Sequence, residues 1–231
     1  MLRRLALLVV IASAFVARPS LAQFTSQDDN HFEAGYNPGK QKRRSDFAAS
    51  IGFGPALGSA SGYPNEVAKI GDPRYQADTG FTGGNATSIW IGVALRDWMV
   101  FGVGLHPYTI QNSKCPVFAS SSPPSDCVLS TGGVFMMHIE AYPLFYEAPA
   151  FQNLGIFTEV GAGSRKIQRG SETIAEGGVM SFMSLGVVYE PIRLGDHFSL
   201  GPYIQFSHEF SETLTDNQGV LGFRAVYYGG P

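Results

Sequence analysis

The sequence predicts an all-β fold, a closed up-and-down antiparallel barrel of eight strands with a polar, glycine-rich interior. Three observations predict it. Apolar residues alternate with small or polar ones, period two, through eight segments of about ten residues separated by turn-like stretches. The 231 residues include 28 glycines and 14 prolines but only 15% charged residues, where an average soluble domain carries about 25%. Beyond Ala22 no uninterrupted apolar run approaches the roughly 20 residues that a membrane-spanning helix needs, and the best stretch, 89–105, is broken by Arg96 and Asp97. A formal charge of −3 gives no basic excess, which argues against nucleic acid as a partner.

In chain order, Arg3 and Arg4, the apolar stretch 5–17 and Ser20-Leu21-Ala22 are the three parts of a secretory signal peptide over 1–22, with cleavage expected after Ala22. Gln23, not a cysteine, stands directly after that point, so no lipoprotein anchor is expected. Removing residues 1–22 takes three arginines and no acid, leaving 13 basic against 19 acidic residues, a net charge of −6. Residues 23–45 show little apolar periodicity and are expected to form a flexible N-terminal segment. Within it, Lys40-Gln41-Lys42-Arg43-Arg44 reads as a solvated linker, with lipid phosphates as a second possibility for its charge. The barrel is expected over 46–228.

One register of the eight segments is apolar. It holds Phe47, Ile51, Phe53 and Leu57 in the first, Ile89, Ile91, Val93 and Leu95 in the second, and Met99, Phe101, Val103 and Leu105 in the third. Phe135, Met137, Ile139 and Phe145 follow, then Leu154, Ile156 and Val160, then Val179, Met183, Leu185, Val187 and Tyr189. Phe198, Leu200, Ile204, Phe206 and Phe210 mark the seventh segment, and Leu221, Phe223, Ala225 and Tyr227 the eighth. Only His208 interrupts that register with a charged or charge-switching side chain. The opposite register collects Arg96, His106, His138, Glu140, Glu159, Arg165, Glu190, Glu209 and Arg224, together with Ser50, Ser88, Ser184, Gln205, Ser207 and many glycines.

This partition separates two architectures. A soluble barrel turns its apolar face inward and lets bulky lysines and glutamates cover the outside. Here the polar face is rich in glycine and poor in lysine, which suits the inside of an eight-stranded barrel, just wide enough to be filled by side chains. Hydrocarbon would then meet the apolar face, with Ile91, Val93, Phe101, Val103, Met137, Ile139, Leu185, Val187, Ile204, Phe206 and Phe223 facing lipid. A closed sheet satisfies every backbone group there. Connections after the second, fourth and sixth segments are short, whereas 58–85 and 109–130 are long, the asymmetry of a transmembrane barrel with short inner turns and long outer loops. The connections 167–176 and 211–218 read as intermediate and polar.

Aromatic girdles are expected at the two ends: Trp98, Phe145, Tyr146, Phe151, Tyr189, Phe198, Tyr227 and Tyr228 at the inner one, and Phe81, Tyr108, Phe135 and Phe210 at the outer. Pro55, Pro107 and Pro143 are expected near strand ends, and Pro202 at a bulge or a late strand start. The only cysteines, Cys115 and Cys127, lie in one polar stretch and are expected to form a loop-closing disulfide in an oxidising compartment.

On this pattern of alternation and loop lengths over 46–228, the chain resembles the small eight-stranded outer-membrane barrels of Gram-negative bacteria, the group that includes the OmpA transmembrane domain, OmpX and OmpW. The resemblance implies an integral outer-membrane protein, inserted by the barrel-assembly machinery and surrounded by lipopolysaccharide and phospholipid, with both termini periplasmic. Two departures stand out. Tyr228 is followed by Gly229-Gly230-Pro231 where such barrels commonly end on an aromatic residue, and no peptidoglycan-binding domain follows the barrel.

The inward charges read first as an ionic plug that fills the lumen, against a gated polar path for small solutes. If Met99 lies opposite Phe145, His106 faces His138 near Glu140; this could be a metal site, although a hydrogen-bond network is the commoner use of buried histidines. Ser207-His208-Glu209 brings outer-membrane lipid hydrolases to mind. Alternation puts Ser207 and His208 on opposite faces, however, so the nucleophile geometry is missing. No cofactor, metal or catalytic set is expected. The sequence thus points to a monomeric, non-enzymatic barrel whose structural or adhesive role lies in outer loops of unknown ligand. A narrow channel for small or hydrophobic solutes is the alternative, and a soluble periplasmic lipid carrier, with the apolar register inside, is another.

Overall fold

The computed structural model describes residues 44–95, 97–112, 114–115, 124–145, 148–195 and 197–229. The expected signal peptide, residues 23–43 of the N-terminal segment, Arg96 and Tyr146 lie outside them. Eight long strands are present: β1 (Asp46–Gly62), β2 (Thr82–Leu95), β3 (Met99–Gln111), β4 (Val128–Ala141), β5 (Leu154–Arg169), β6 (Met180–Tyr189), β7 (Phe198–Phe210) and β8 (Leu214–Tyr228). Each pairs antiparallel with its sequence neighbours, and β8 returns to β1 through pairs such as Ile51 with Ala225 and Phe53 with Phe223. The barrel is therefore closed, and no long edge is left to recruit another strand. Short strands Ala77–Asp78, Glu172–Glu176 and Ile192–Leu194 pair onto β1, β5 and β7.

Closure fixes the two faces. β6 alternates buried and exposed over its whole length, and the apolar register is the exposed one: Ile91, Val103, Met137, Leu185, Ile204 and Phe206 are 43–66% accessible on the outer wall. Val93, Phe101, Val187 and Phe223 are exposed there too, and Ile139 is half-buried on the same face. The lumen holds the opposite register. A soluble carrier with its apolar residues inside is the reverse of this arrangement. Glycine has a steric role in the lumen: a Cβ on Gly222 would collide with the Tyr203 ring, and one on Gly186 with the Phe157 ring. Large aromatic rings can lie flat against the wall only because those positions carry no side chain.

Several boundaries differ from the sequence reading, for a common reason. Above the apolar belt the ladders continue through polar residues that carry no period-two hydrophobic signal. β1 runs to Gly62 and β2 begins at Thr82, so the first outer loop is shorter than 58–85; the second spans 112–127 rather than 109–130. The stretch 167–176 forms a hairpin that prolongs β5, and the β7–β8 connection shrinks to 211–213, which places Asp216 and Gln218 inside the lumen.

Pro55 and Pro107 lie inside strands, not near their ends. At each, one of the two ladders is interrupted: β1–β8 pairing skips from Phe53 to Ala56, and β2–β3 pairing skips residues 106–107. Pro202 sits in a continuous β7, and the expected bulge belongs to its neighbour. Between Tyr203 with Val188 and Leu200 with Ile192, three residues of the β6 side oppose two of β7. A missing N–H is tolerated where the ladder is already open.

The girdles also change. Trp98, Phe151, Tyr189 and Phe198 are exposed near the inner end, and Phe81, Phe135 and Phe210 nearer the outer end. Tyr108 and Tyr228 are instead buried in the lumen, and Phe145 packs against the lumen cluster. These three rings sit next to buried charge, which sequence alternation alone does not weigh.

Candidate functional site

The inner half of the lumen is an ionic cluster assembled from most of the wall. Arg224 on β8 donates through Nη1 and Nη2 to the Glu140 carboxylate of β4, at 2.5 and 2.7 Å, and through Nη2 to Glu190 Oε1 at 2.7 Å and Tyr142 Oη at 3.1 Å. His138 bridges two acids, with Nε2 3.1 Å from Glu140 Oε2 and Nδ1 2.9 Å from Glu159 Oε1. Ser184 Oγ and Gln205 Nε2 donate to Glu159 Oε2 at 3.0 and 2.7 Å. Trp90 stacks on the His138 ring at 4.6 Å. With both ring nitrogens of His138 facing carboxylates, an imidazolium satisfies the two acids together; Arg44, Arg224 and His138 then balance Glu140, Glu159 and Glu190. The partners come from β4, β5, β6, β7 and β8 and from residues flanking β1, β4 and β6, so the cluster also staples the wall.

Arg44 is the member that the sequence reading assigned to a flexible linker. It is fully buried. Its guanidinium lies 3.5 Å over the Tyr142 ring and 3.3 Å from Glu190 Oε2, its backbone N–H donates to Asp97 Oδ1 at 2.6 Å, and its carbonyl accepts from the Asp97 N–H. Arg44, two residues ahead of β1, therefore belongs to the inner end of the lumen. One basic side chain in a basic run carries no periodic signal, and nothing in the sequence distinguishes Arg44 from Arg43.

Farther out, Arg165 pairs with Asp216, lies 4.0 Å from Glu209 Oε2 and stacks over the Tyr108 ring at 3.7 Å. His106, Ser130 and Gln218 share this outer half and carry buried polar atoms with no partner among the described residues. Above them Ala60, Ala77, Ile167, Ala175, Met180 and Leu214 form an apolar cap. The cavity lined by Ser50, Ser88, Trp90, His138, Tyr203 and Arg224 measures about 10 Å³, the room of roughly one water molecule.

Of the interior residues read from sequence, His106, His138, Glu140, Glu159, Arg165, Glu190, Glu209 and Arg224 are all buried in the lumen. They divide into two groups, with His106, Arg165 and Glu209 apart from the Arg224–Glu140–His138–Glu159–Glu190 cluster. His106 does not face His138. Met99 pairs with Ala141 because Phe145 belongs to the following turn, so Val134 stands opposite His106 and Gly102 opposite His138. Without that juxtaposition the two histidines cannot share a metal ion, and no group of three or more metal-ligating side chains suited to one is found among the described residues. Ser207 faces the lumen and His208 the outside, as alternation requires. Ser184, Glu159 and His138 are linked by hydrogen bonds and buried in the lumen.

The outer loops carry the exposed chemistry. Cys115 and Cys127 form a disulfide, beside the ion pair of Lys114 with Asp126 at 3.2 Å. Arg74 donates to both oxygens of Asp72, side chain and backbone together holding that carboxyl below its ordinary range. Lys69 and Arg74 both approach the Tyr75 ring, at 5.4 and 5.8 Å. Val67 and Val179 are 90% and 85% exposed.

No family profile and no curated protein matches this sequence. Among solved structures, the chain is similar in architecture to Neisserial surface protein A, with 12% identity over 78% of this chain and 96% of that one at a TM-score of 0.39. It is also similar to Ail, the attachment invasion locus protein of Yersinia pestis (11% identity, 79% and 98% covered, TM-score 0.45). A third is the outer membrane protein OprG from Pseudomonas aeruginosa (10%, 82% and 99%, TM-score 0.40).

Proposed function

We propose that this chain is an integral protein of a bacterial outer membrane, held there by its apolar outer wall, and that it acts through its outer loops in a structural or adhesive role, without enzymatic chemistry. The wall supports the membrane placement. A closed sheet with large aliphatic and aromatic side chains exposed all round, and glycine, serine and paired charges inside, is the inverse of a soluble barrel. Both ends of the barrel sheet lie together, Ala48 opposite Tyr228, on the side of the short turns, which the reading assigns to the periplasm.

The single observation that carries the surface role is the filled lumen. An ionic cluster, an aromatic layer, a second charged layer and an apolar cap succeed one another, and the described cavity has room for roughly one water. Among the described residues, exposed polar and charged side chains gather in the outer loops, Glu66, Arg74, Lys114 and Asp126 among them. A narrow channel is the second reading, favoured by the unpartnered polar atoms of His106, Ser130 and Gln218, which water would satisfy. Planar-bilayer recordings of the full chain separate the two: a flat trace across the voltage range supports the closed barrel, and discrete reproducible openings overturn it. Surface digestion of intact cells at the loops, with the barrel core protected, tests the address.

A further inference from the structure

The outer wall carries polar rows near its outer end, Asn85, Thr109 and Thr131 on β2, β3 and β4 among them, and one such row borders an open glycine. On three adjacent strands Ser59, Asn217 and His208 stand side by side facing outward, Ser59 paired with Asn217 across β1–β8 and Asn217 with His208 across β7–β8. One row nearer the membrane centre, Leu57, Gly219 and Phe206 occupy the same three strands. Cross-strand neighbours in such rows lie about 5 Å apart, so the six residues form one continuous patch.

Gly219 sets its shape. A Cβ there would meet nothing closer than the Leu57 carbonyl oxygen at 3.8 Å, so a larger side chain would fit. This contrasts with Gly222 three residues later, where the fold forbids one. The missing side chain leaves a notch between Leu57 and Phe206, each 57% exposed. At the head of the notch His208 Nδ1 lies 2.9 Å from Asn217 Oδ1, and the His208 ring stacks on Phe210 at 5.3 Å. That contact uses the amide oxygen of Asn217 and leaves its Nδ2 hydrogens with no partner among the described residues.

We propose that this notch binds one acylated lipid of the outer leaflet, a chain lying over Gly219 between Leu57 and Phe206 and an ester or amide carbonyl accepting a hydrogen bond from Asn217 Nδ2. The proposal rests on the membrane placement given above. Charge decides what is recognised. None of these six residues is a lysine or arginine, and the next row outward, Ser61, Thr215 and Phe210, adds none. The site therefore has no lysine or arginine to pair with a phosphate, while Asn217 Nδ2 offers a neutral donor beside the exposed apolar pair Leu57 and Phe206. A donor next to the hydrocarbon gains more from a carbonyl than one in water does, because the alternative is an unmet polar group.

The test is native mass spectrometry of the full chain released from mild detergent, titrated separately with dioleoylglycerol, with dioleoyl phosphatidylethanolamine and with hexadecane. One molecule of either acylated probe should be retained, with hexadecane held more weakly. Asn217→Leu should weaken retention of both by about fivefold, the scale of one hydrogen bond, and Gly219→Leu should abolish it by filling the notch. Gly133→Leu, at an outward glycine of β4 with equally open surroundings, should leave it unchanged. Heat-modifiable migration verifies folding, and Asn217→Ala serves if the leucine variant does not fold. Equal retention by all variants, a requirement for phosphate, or hexadecane binding as tightly as the diacyl probe would overturn the proposal. The underlying reading fails in another way: a chain recovered from the aqueous phase without detergent and binding none of the probes is not a membrane protein at all.

Discussion

Arg224→Met is the most informative perturbation of the lumen. Arg224 makes four hydrogen bonds, three to the carboxylates of Glu140 and Glu190 and one to Tyr142, with its side chain almost wholly buried. Removing it leaves Glu140 facing only His138, and Glu190 only Arg44 and the Tyr228 hydroxyl. Breaking a buried pair by deleting one partner costs about 3–5 kcal/mol, and the two buried carboxylates that lose a partner place this case at the upper end. Glu140→Gln alone should cost about 2–3 kcal/mol, since it strips the charge from Arg224 and His138 but keeps the shape and leaves Glu190 in place. If the two act as a unit, the double variant costs less than the sum, by about 1–3 kcal/mol. Equilibrium urea unfolding in phospholipid vesicles, followed by the shift between folded and unfolded gel bands, measures all three. A loss below about 1 kcal/mol for Arg224→Met, or strict additivity in the double variant, would refute the claim that this cluster holds the wall together.

Arg44→Ala should cost less than Arg224→Met, about 1–3 kcal/mol, because Glu190 keeps Arg224; an equal or larger loss in the same unfolding assay would mean that Arg44 carries the cluster. Gly222→Ala should destabilise by about 1–3 kcal/mol through collision with Tyr203, whereas Gly133→Ala changes little, and the pair can be read from one denaturant series. Reducing the bond between Cys115 and Cys127 should speed protease cleavage within 112–127 while the barrel still shows heat-modifiable migration; loss of the folded band would place the disulfide in barrel stability instead.

The barrel was legible in the sequence because lipid and lumen impose opposite demands on alternate residues. Leu185 and Ser184, or Phe206 and Gln205, are assigned to their faces by period two alone. Register between strands was less legible. His106 and His138 were brought together by assuming that Phe145 ends β4, but that ring belongs to a turn, and shifting the pairing removed the juxtaposition. The interior beyond the apolar belt was also hidden. Asp216 and Gln218 sit in a run of polar residues where alternation has no hydrophobic partner to reveal it, yet the ladder continues and turns both inward. Arg44 escaped for a different reason: its burial follows from tertiary geometry, a chain entering the mouth beside Asp97, and not from any local pattern. Tyr108 and Tyr228 read as interfacial aromatics because their type fits a girdle, while their hydroxyl and ring positions answer to Arg165, Arg44 and Glu190.

The orientation of the wall can be measured directly with brominated acyl chains, which quench tryptophan only on contact. In reconstituted vesicles, tryptophans placed at Ile91 and Phe223 and the native Trp98 at the rim should lose emission, the first two most strongly, while Trp90, stacked on His138 in the lumen, should keep its own. Quenching of Trp90 with the reporters at Ile91 and Phe223 unaffected would mean that the apolar register lies inside, and the membrane-spanning barrel would have to be abandoned.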